Sequence, residues 1–133
     1  MASADASYTE RRRAFRRLHE SGCFVIPNPW DAGSAGYLEH LGFKALATTS
    51  AGCAWSNGVP DGAAGLEATL ANVRAIVGAT NLPVNADFES GFASTPEGVA
   101  SNVAACVAAG VAGLSIEDST GRPDEPLYPI PVA

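Results

Sequence analysis

The sequence predicts an α/β fold built on a parallel sheet. Short apolar runs alternate with segments of helical period, in the order β-α-β-α-β-α-β after a leading helix. Acidic and hydroxyl residues collect where each apolar run ends, while the beginnings (Cys23, Lys44, Leu82, Val111) carry almost none. That polarity matters, because in parallel α/β sheets chemistry gathers at the C-terminal ends of the strands. The 133 residues, 47% hydrophobic and 17% charged, suffice for one ordinary domain with a core.

The leading helix belongs to a region over residues 1–21. SYTERRRAFRRLHE, 7–20, is amphipathic, with Tyr8, Phe15 and Leu18 near one stripe. GCFVIPN, 22–28, is an apolar run ended by Pro27 and Pro29, and is expected as the first strand. DAGSAGYLEHLG, 31–42, opens on a capping acid and closes on Gly, so it is a short helix. FKALATTS, 43–50, is the second strand, and AGCAWSNGVPDGAAG, 51–65, a long Gly-rich loop. LEATLANVRAIVGA, 66–79, repeats Leu66, Leu70, Val73 and Val77 at helical spacing. LPVNADF, 82–88, is the third strand. STPEGVASNVAACVAAG, 94–110, is a helix with Ser94 or Thr95 as cap and Pro96 in its first turn. VAGLSIED, 111–118, is the fourth strand. The tail, 119–133, holds four of the nine prolines and no period, and is expected as a loop or disordered end.

Charge excludes some functions. The formal net charge is −6, which argues against nucleic acid, where a basic face is needed. RRRAFRR, 11–17, holds five of the eight basic residues and reads as the solvated face of a helix, ahead of a phosphate or anionic-membrane patch. No apolar segment follows it, so it is not a secretory signal. The uncharged window 98–116 is divided by Gly110 and Gly113 into a helix and a strand, which argues against a membrane span. Cys23, Cys53 and Cys106 form no CxxC or zinc pattern; an odd count fits reduced thiols in a cytoplasmic protein. His19 and His40 lie on helices and read as surface residues.

The informative stretch is PVNADFESGF, 83–92. Residues two apart on a strand point to one face, so Asp87 and Glu89 converge, and Glu117 can join them from the next strand end. Three close carboxylates repel unless a cation offsets them, and hard oxygen donors suit magnesium. By themselves, Asp61 in PDG reads as a turn residue and Asp118 before STG as a cap or solvated loop residue.

Three stretches, GCFVIPNPWDAGSAGYLEHLGFKALATTSAG, LPVNADFESGF and GVAGLSIEDSTG, resemble the isocitrate lyase and phosphoenolpyruvate mutase superfamily, in the expected order from about residue 15 to 121. The resemblance implies a (β/α)8 TIM-type barrel, often oligomeric through a swapped last helix. It also implies Mg2+ and a small 2-oxo acid or phosphonate substrate bound at the strand C-termini. In such enzymes the metal polarises the 2-oxo acid and stabilises an enolate while a C–C or P–C bond is made or broken. The family's D-x-D motif falls on Asp87 and Glu89, with Glu in place of the second Asp, and its strand-four acid falls on Glu117. Its mobile-loop Asp falls on Asp61. The substrate-carboxylate site falls near Thr49, Ser50 and Gly52, and Trp30 is assigned to substrate binding with them. Asp61 and Glu117 are the residues expected to take part in catalysis.

Two departures refine the reading. The family's lyases carry a K-[KR]-C-G-H loop soon after the strand-four acid, whereas Glu117 is followed by DSTGRPDEPLYP. That disfavours isocitrate or methylisocitrate cleavage by the usual route and leaves hydrolase- or mutase-type chemistry. Second, such a barrel needs about 250 residues. Residues 22–118 supply four strands, so the expectation is the N-terminal half of a family member. The alternative is a non-catalytic fragment that needs a partner half or self-associates; another metal-dependent aldolase barrel would keep the fold and the acids but change the substrate.

Overall fold

The computed structural model describes residues 4–131. Its centre is a three-stranded parallel sheet in the order β1-β2-β3, with β1 at Leu46–Ala47, β2 at Val84–Asp87 and β3 at Gly113–Ser115. Leu46 pairs with Val84, and Ala86 with Leu114. Five helices precede or connect these strands: α1 (Ala4–Leu18), α2 (Ala32–His40), α3 (Ser50–Ser56), α4 (Gly65–Ala79) and α5 (Pro96–Ala108). An antiparallel pair, β4 (Ser119–Arg122) and β5 (Glu125–Leu127), ends the described chain.

The core follows from the apolar periods. Leu46, Val84, Ala86 and Phe88 from the sheet meet Leu70, Val73, Ile76 and Val77 from α4, and all are buried. Along β2 burial alternates, Val84 and Ala86 inward and Asn85 and Asp87 half-buried, as a period of two requires. α5 adds Cys106, and α2 adds Ala35. Caps fix the helix starts. Asp31 accepts from the Ser34 amide at 2.7 Å in a capping box, and Thr95 accepts from the Gly98 amide at 3.2 Å with Pro96 following it.

Three expectations change. Among the described residues the sheet has three regular strands rather than four. Residues 23–29 run beside β1, with the Ala47 amide donating to the Pro27 carbonyl at 3.1 Å, but form no ladder. Pro27 and Pro29 have no N–H to donate, which explains why an apolar run fails to become a strand there. The Gly-rich loop at 51–65 contains α3, started by Thr49, whose hydroxyl accepts from the Gly52 amide at 3.2 Å. The tail over 119–133, expected as a loop or disordered end, forms the β4–β5 hairpin over 119–127, with Arg122 bridging Asp124 and Glu125 at 3.0 Å each across the turn. Residues 132–133 lie outside the described stretch.

The arginine run is more than a solvated face. Arg11 donates to the Val77 carbonyl in the last turn of α4, and Arg12 to Val107 in the last turn of α5 and to Val111, each at 3.1 Å. Helix C-termini leave carbonyls without intrahelical donors, and guanidinium groups satisfy them. α1 thereby clamps two helix ends at the N-terminal face of the sheet, opposite the acids. No helix among the described residues is long and apolar enough to cross a membrane.

Phe88 is the largest fully buried side chain and stacks edge-on against Phe92, with centroids 5.1 Å apart. Phe88→Ala is expected to destabilise the chain by about 3–5 kcal/mol through cavity formation. Urea unfolding monitored by circular dichroism measures it; a change within experimental error of zero would contradict this packing.

Candidate active site

The site is assembled at the C-terminal rim of the sheet. Asp87 ends β2, and its amide donates to the buried Thr48 hydroxyl at 3.0 Å, tying β2 to the end of β1. Its carboxylate accepts from the Ser50 amide at 2.8 Å. One side chain thus holds the first turn of α3 in place, where the amides of a helix start are free to meet an anion. Phe88 turns inward, and the chain then bends sharply. Glu89 has φ 46°, Gly91 φ 82° and Phe92 φ 57°. The left-handed region is uncommon for residues other than Gly. Glu89 therefore sits on a turn just beyond β2, not on the strand itself. Its carbonyl accepts from the Glu117 amide at 2.8 Å, which locks the two acidic residues side by side through the backbone.

A cavity of about 440 Å³ opens here, lined by Ser50, Asp61, Glu89, Glu117, Ser119 and Thr120 among others. Burial pushes the Glu89 carboxyl above its ordinary range, and the charges of Asp87, Asp61 and Glu117 push it further. Three acids, Asp61, Asp87 and Glu117, thus all act on Glu89. No Lys or Arg is among the residues lining the cavity. Cys53, buried behind it, has its thiol pushed up by burial and by the Glu89 charge.

Asp61, Glu89, Glu117 and Ser50 share the cavity, and Asp87 stands behind it through Ser50. Thr49 is occupied as the α3 cap, while Gly52 is buried beneath Trp30. Trp30 lies to the side, edge-to-face with Trp55 at 5.5 Å between centroids, and is not among the lining residues. Sequence reasoning missed Ser90, Ser119, Thr120 and Gly121, which also line the cavity. The hydroxyl run STG directly after an acid pair was the available signal, obscured by its placement in an expected loose tail.

No group of three or more His, Cys, Asp or Glu side chains among the described residues is already arranged to hold a metal ion. The donors do not form a closed cage. They suit a hard divalent cation that keeps several waters and takes one or two carboxylates directly, which is how magnesium commonly binds. Crowded acids with no lining base are the observation that supports the fit.

The family model described as phosphoenolpyruvate phosphomutase matches residues 15–133. The chain belongs to that family. The expected superfamily is therefore the one found, and its members include lyases, mutases and hydrolases. The chain is 36% identical over 112 residues to 2-methylisocitrate lyase of Escherichia coli, covering 82% of this chain and 38% of that protein. Among solved structures it is similar to a provisionally assigned lyase/mutase of Burkholderia cenocepacia, with TM-score 0.89, 49% identity and coverage of 92% of this chain and 45% of the other. It is also similar to phosphonopyruvate hydrolase in complex with oxalate and Mg2+, with TM-score 0.84, 25% identity and coverage of 92% and 44%. The chain spans about two fifths of the length of the curated relatives it matches, 42% and 38%.

The raised Glu89 carboxyl has a definite consequence for stability. The folded state holds this proton more tightly than the unfolded chain, whose group titrates near 4.5. Its contribution is therefore full below pH 4.5 and is lost as pH rises through the higher folded value. With chelator present, Glu89→Gln is expected to be more stable than wild type at pH 7 and to show a flatter stability profile between pH 4.5 and 7. Urea midpoints across that range measure it; parallel profiles for the two proteins would refute the charge crowding.

Proposed function

We propose that this chain carries the metal-binding rim of a magnesium-dependent enzyme that acts on a small 2-oxo acid, by C–C or P–C bond chemistry. The observation that carries the reading is the convergence of Asp61, Asp87 and Glu117 on Glu89 in a cavity whose lining has no basic side chain. Asp87, Glu89 and Glu117 would hold the ion, directly or through water. A bound magnesium ion supplies polarisation of the 2-oxo acid and stabilisation of the enolate.

The chain's own groups have separable tasks. Asp87 fixes the α3 start through the Ser50 amide, which leaves the Ser50 hydroxyl for a substrate carboxylate. Thr49 and Gly52 shape the same turn, and Trp30 covers it. Asp61 comes from the loop between α3 and α4 and lines the cavity, which supports a role for it in closing over the bound substrate and in proton transfer. Glu117, locked to Glu89 through the backbone, is the second candidate for that transfer. The segment after Glu117 brings the hydroxyls of Ser119 and Thr120 where the family's lyases have Lys, Cys and His. This favours a hydrolase- or mutase-type reaction over methylisocitrate cleavage by the usual route. Cys23, Cys53 and Cys106 are free thiols, in keeping with a reducing, cytoplasmic setting.

A second reading is favoured by exposed apolar side chains. Val107 on α5, Ile116 just after β3 and Leu127 on β5 are 40%, 46% and 60% exposed. Apolar surface of this kind suits association with a complementary partner half or with another copy, in which case the chain is inactive alone. Sedimentation separates the two: a stable, well-folded monomer counts against obligate association.

The test of the first reading is calorimetric titration of Mg2+ into wild type and Asp87→Ala. Wild type is expected to bind, and the variant to bind at least tenfold more weakly, by the loss of about 1.4 kcal/mol or more. Equal affinities would reject the site. Activity on oxaloacetate, phosphonopyruvate and methylisocitrate then distinguishes the substrate classes.

A further inference from the structure

Ionised carboxylates accept hydrogen bonds and cannot donate them, and no Lys or Arg lines the acidic cavity. An anionic substrate must therefore find its protein donors among hydroxyls and backbone amides. Four hydroxyl side chains line the cavity, those of Ser50, Ser90, Ser119 and Thr120. Thr120 is committed elsewhere: its hydroxyl donates to the Glu125 carbonyl and accepts from the Arg122 amide at 3.0 Å. The Ser119 hydroxyl accepts from the Gly121 amide at 3.3 Å and donates to no group among the described residues, so its proton is available to a ligand. Ser119 is also held in place. It pairs with Leu127 across the hairpin, and the Tyr128 amide donates to the Asp118 carbonyl at 2.8 Å.

Topology separates Ser119 from Ser50. Ser50 follows β1 and Ser119 follows β3, while β2, with Glu89 beyond its end, lies between them. Two strand separations put the ends of β1 and β3 about 10 Å apart. A hydrogen bond at each end takes up about 2.8 Å. That leaves roughly 4–5 Å between the outer oxygens of a molecule that bridges the two hydroxyls. A three-carbon chain with an oxyanion group at either end has this span. Pyruvate ends in a methyl group and offers Ser119 no acceptor.

We propose that Ser119 is a specificity-determining residue: its hydroxyl donates to an oxyanion group on C3 of a 2-oxo acid whose C1 carboxylate lies at Ser50. This rests on the proposed function of the acidic cavity and narrows its substrate class to 2-oxo acids that carry a carboxylate or phosphonate on C3. A second negative charge beside Glu117 is repelled unless a cation is bound, so the preference for such ligands depends on Mg2+.

The chain in millimolar Mg2+ is titrated calorimetrically with phosphonopyruvate and with pyruvate, which differ only in the group on C3. Wild type is expected to bind phosphonopyruvate more tightly than pyruvate. Ser119→Ala should bind phosphonopyruvate roughly tenfold more weakly, the scale of a hydrogen bond to a charged group, with its affinities for pyruvate and Mg2+ unchanged. Ser119→Thr keeps the hydroxyl and suits a strand, so it should retain the preference. The unchanged pyruvate affinity separates a lost donor from lost structure, and the threonine variant keeps the comparison available should the alanine variant unfold. Equal wild-type affinities for the two ligands, a preference that survives in Ser119→Ala, or one that Ser119→Thr loses would overturn the role of Ser119 and leave the functional reading standing. Binding of neither ligand by wild type in Mg2+ would overturn both.

Discussion

Four carboxylates share the C-terminal rim of one small parallel sheet, and their mutual repulsion is the constraint around which the molecule is arranged. Two hydrogen bonds anchor the residues of three of them. The Asp87 carboxylate is anchored by the Ser50 amide, and the Glu117 amide is anchored by the Glu89 carbonyl, each at 2.8 Å. Both bonds use backbone groups, so the backbone at Asp87, Glu89 and Glu117 cannot separate without undoing the start of α3 or the edge of the sheet. The raised Glu89 carboxyl is the electrostatic trace of that confinement. No basic side chain lines the cavity to offset these charges, and in the function proposed above a cation from solution would do so.

The rest of the fold serves this rim from behind. Phe88 lies between the two acids of the motif and points into the core, so packing under α4 fixes the height at which Asp87 and Glu89 emerge. The left-handed turn over 89–92 then carries the chain away to α5, and backbone strain of this kind is characteristic of functional rims. At the opposite face Arg11 and Arg12 satisfy the ends of α4 and α5. The scarce positive charge is thus spent on holding helices and is kept away from the acids.

The acids of the proposed site were legible because a strand's period of two and the polarity of parallel sheets are strong local rules. The charges of Asp61, Asp87 and Glu117 all act on Glu89; the positions after apolar runs pointed to Asp87, Glu89 and Glu117, and only the family resemblance to Asp61. What the rules concealed has physical causes. Pro27 and Pro29 remove donors from an otherwise strand-like run, so 23–29 lies against β1 without joining it. Glu89 reaches the cavity from a turn rather than from the strand, although the i, i+2 spacing led to the same place. α3 was hidden by glycines whose reason is lateral: Gly52 makes room for a ring 22 positions earlier in the chain, information that no local window contains. The β4–β5 hairpin was hidden by proline content, yet Arg122 with Asp124 and Glu125 closes its turn.

Crystals of the chain soaked in Mn2+ offer the most direct test, because manganese shares magnesium's preference for oxygen ligands and scatters anomalously. The account predicts one anomalous peak in the cavity, within direct or single-water reach of Asp87, Glu89 and Glu117. An empty cavity at saturating Mn2+, or a peak elsewhere on the surface alone, would contradict it.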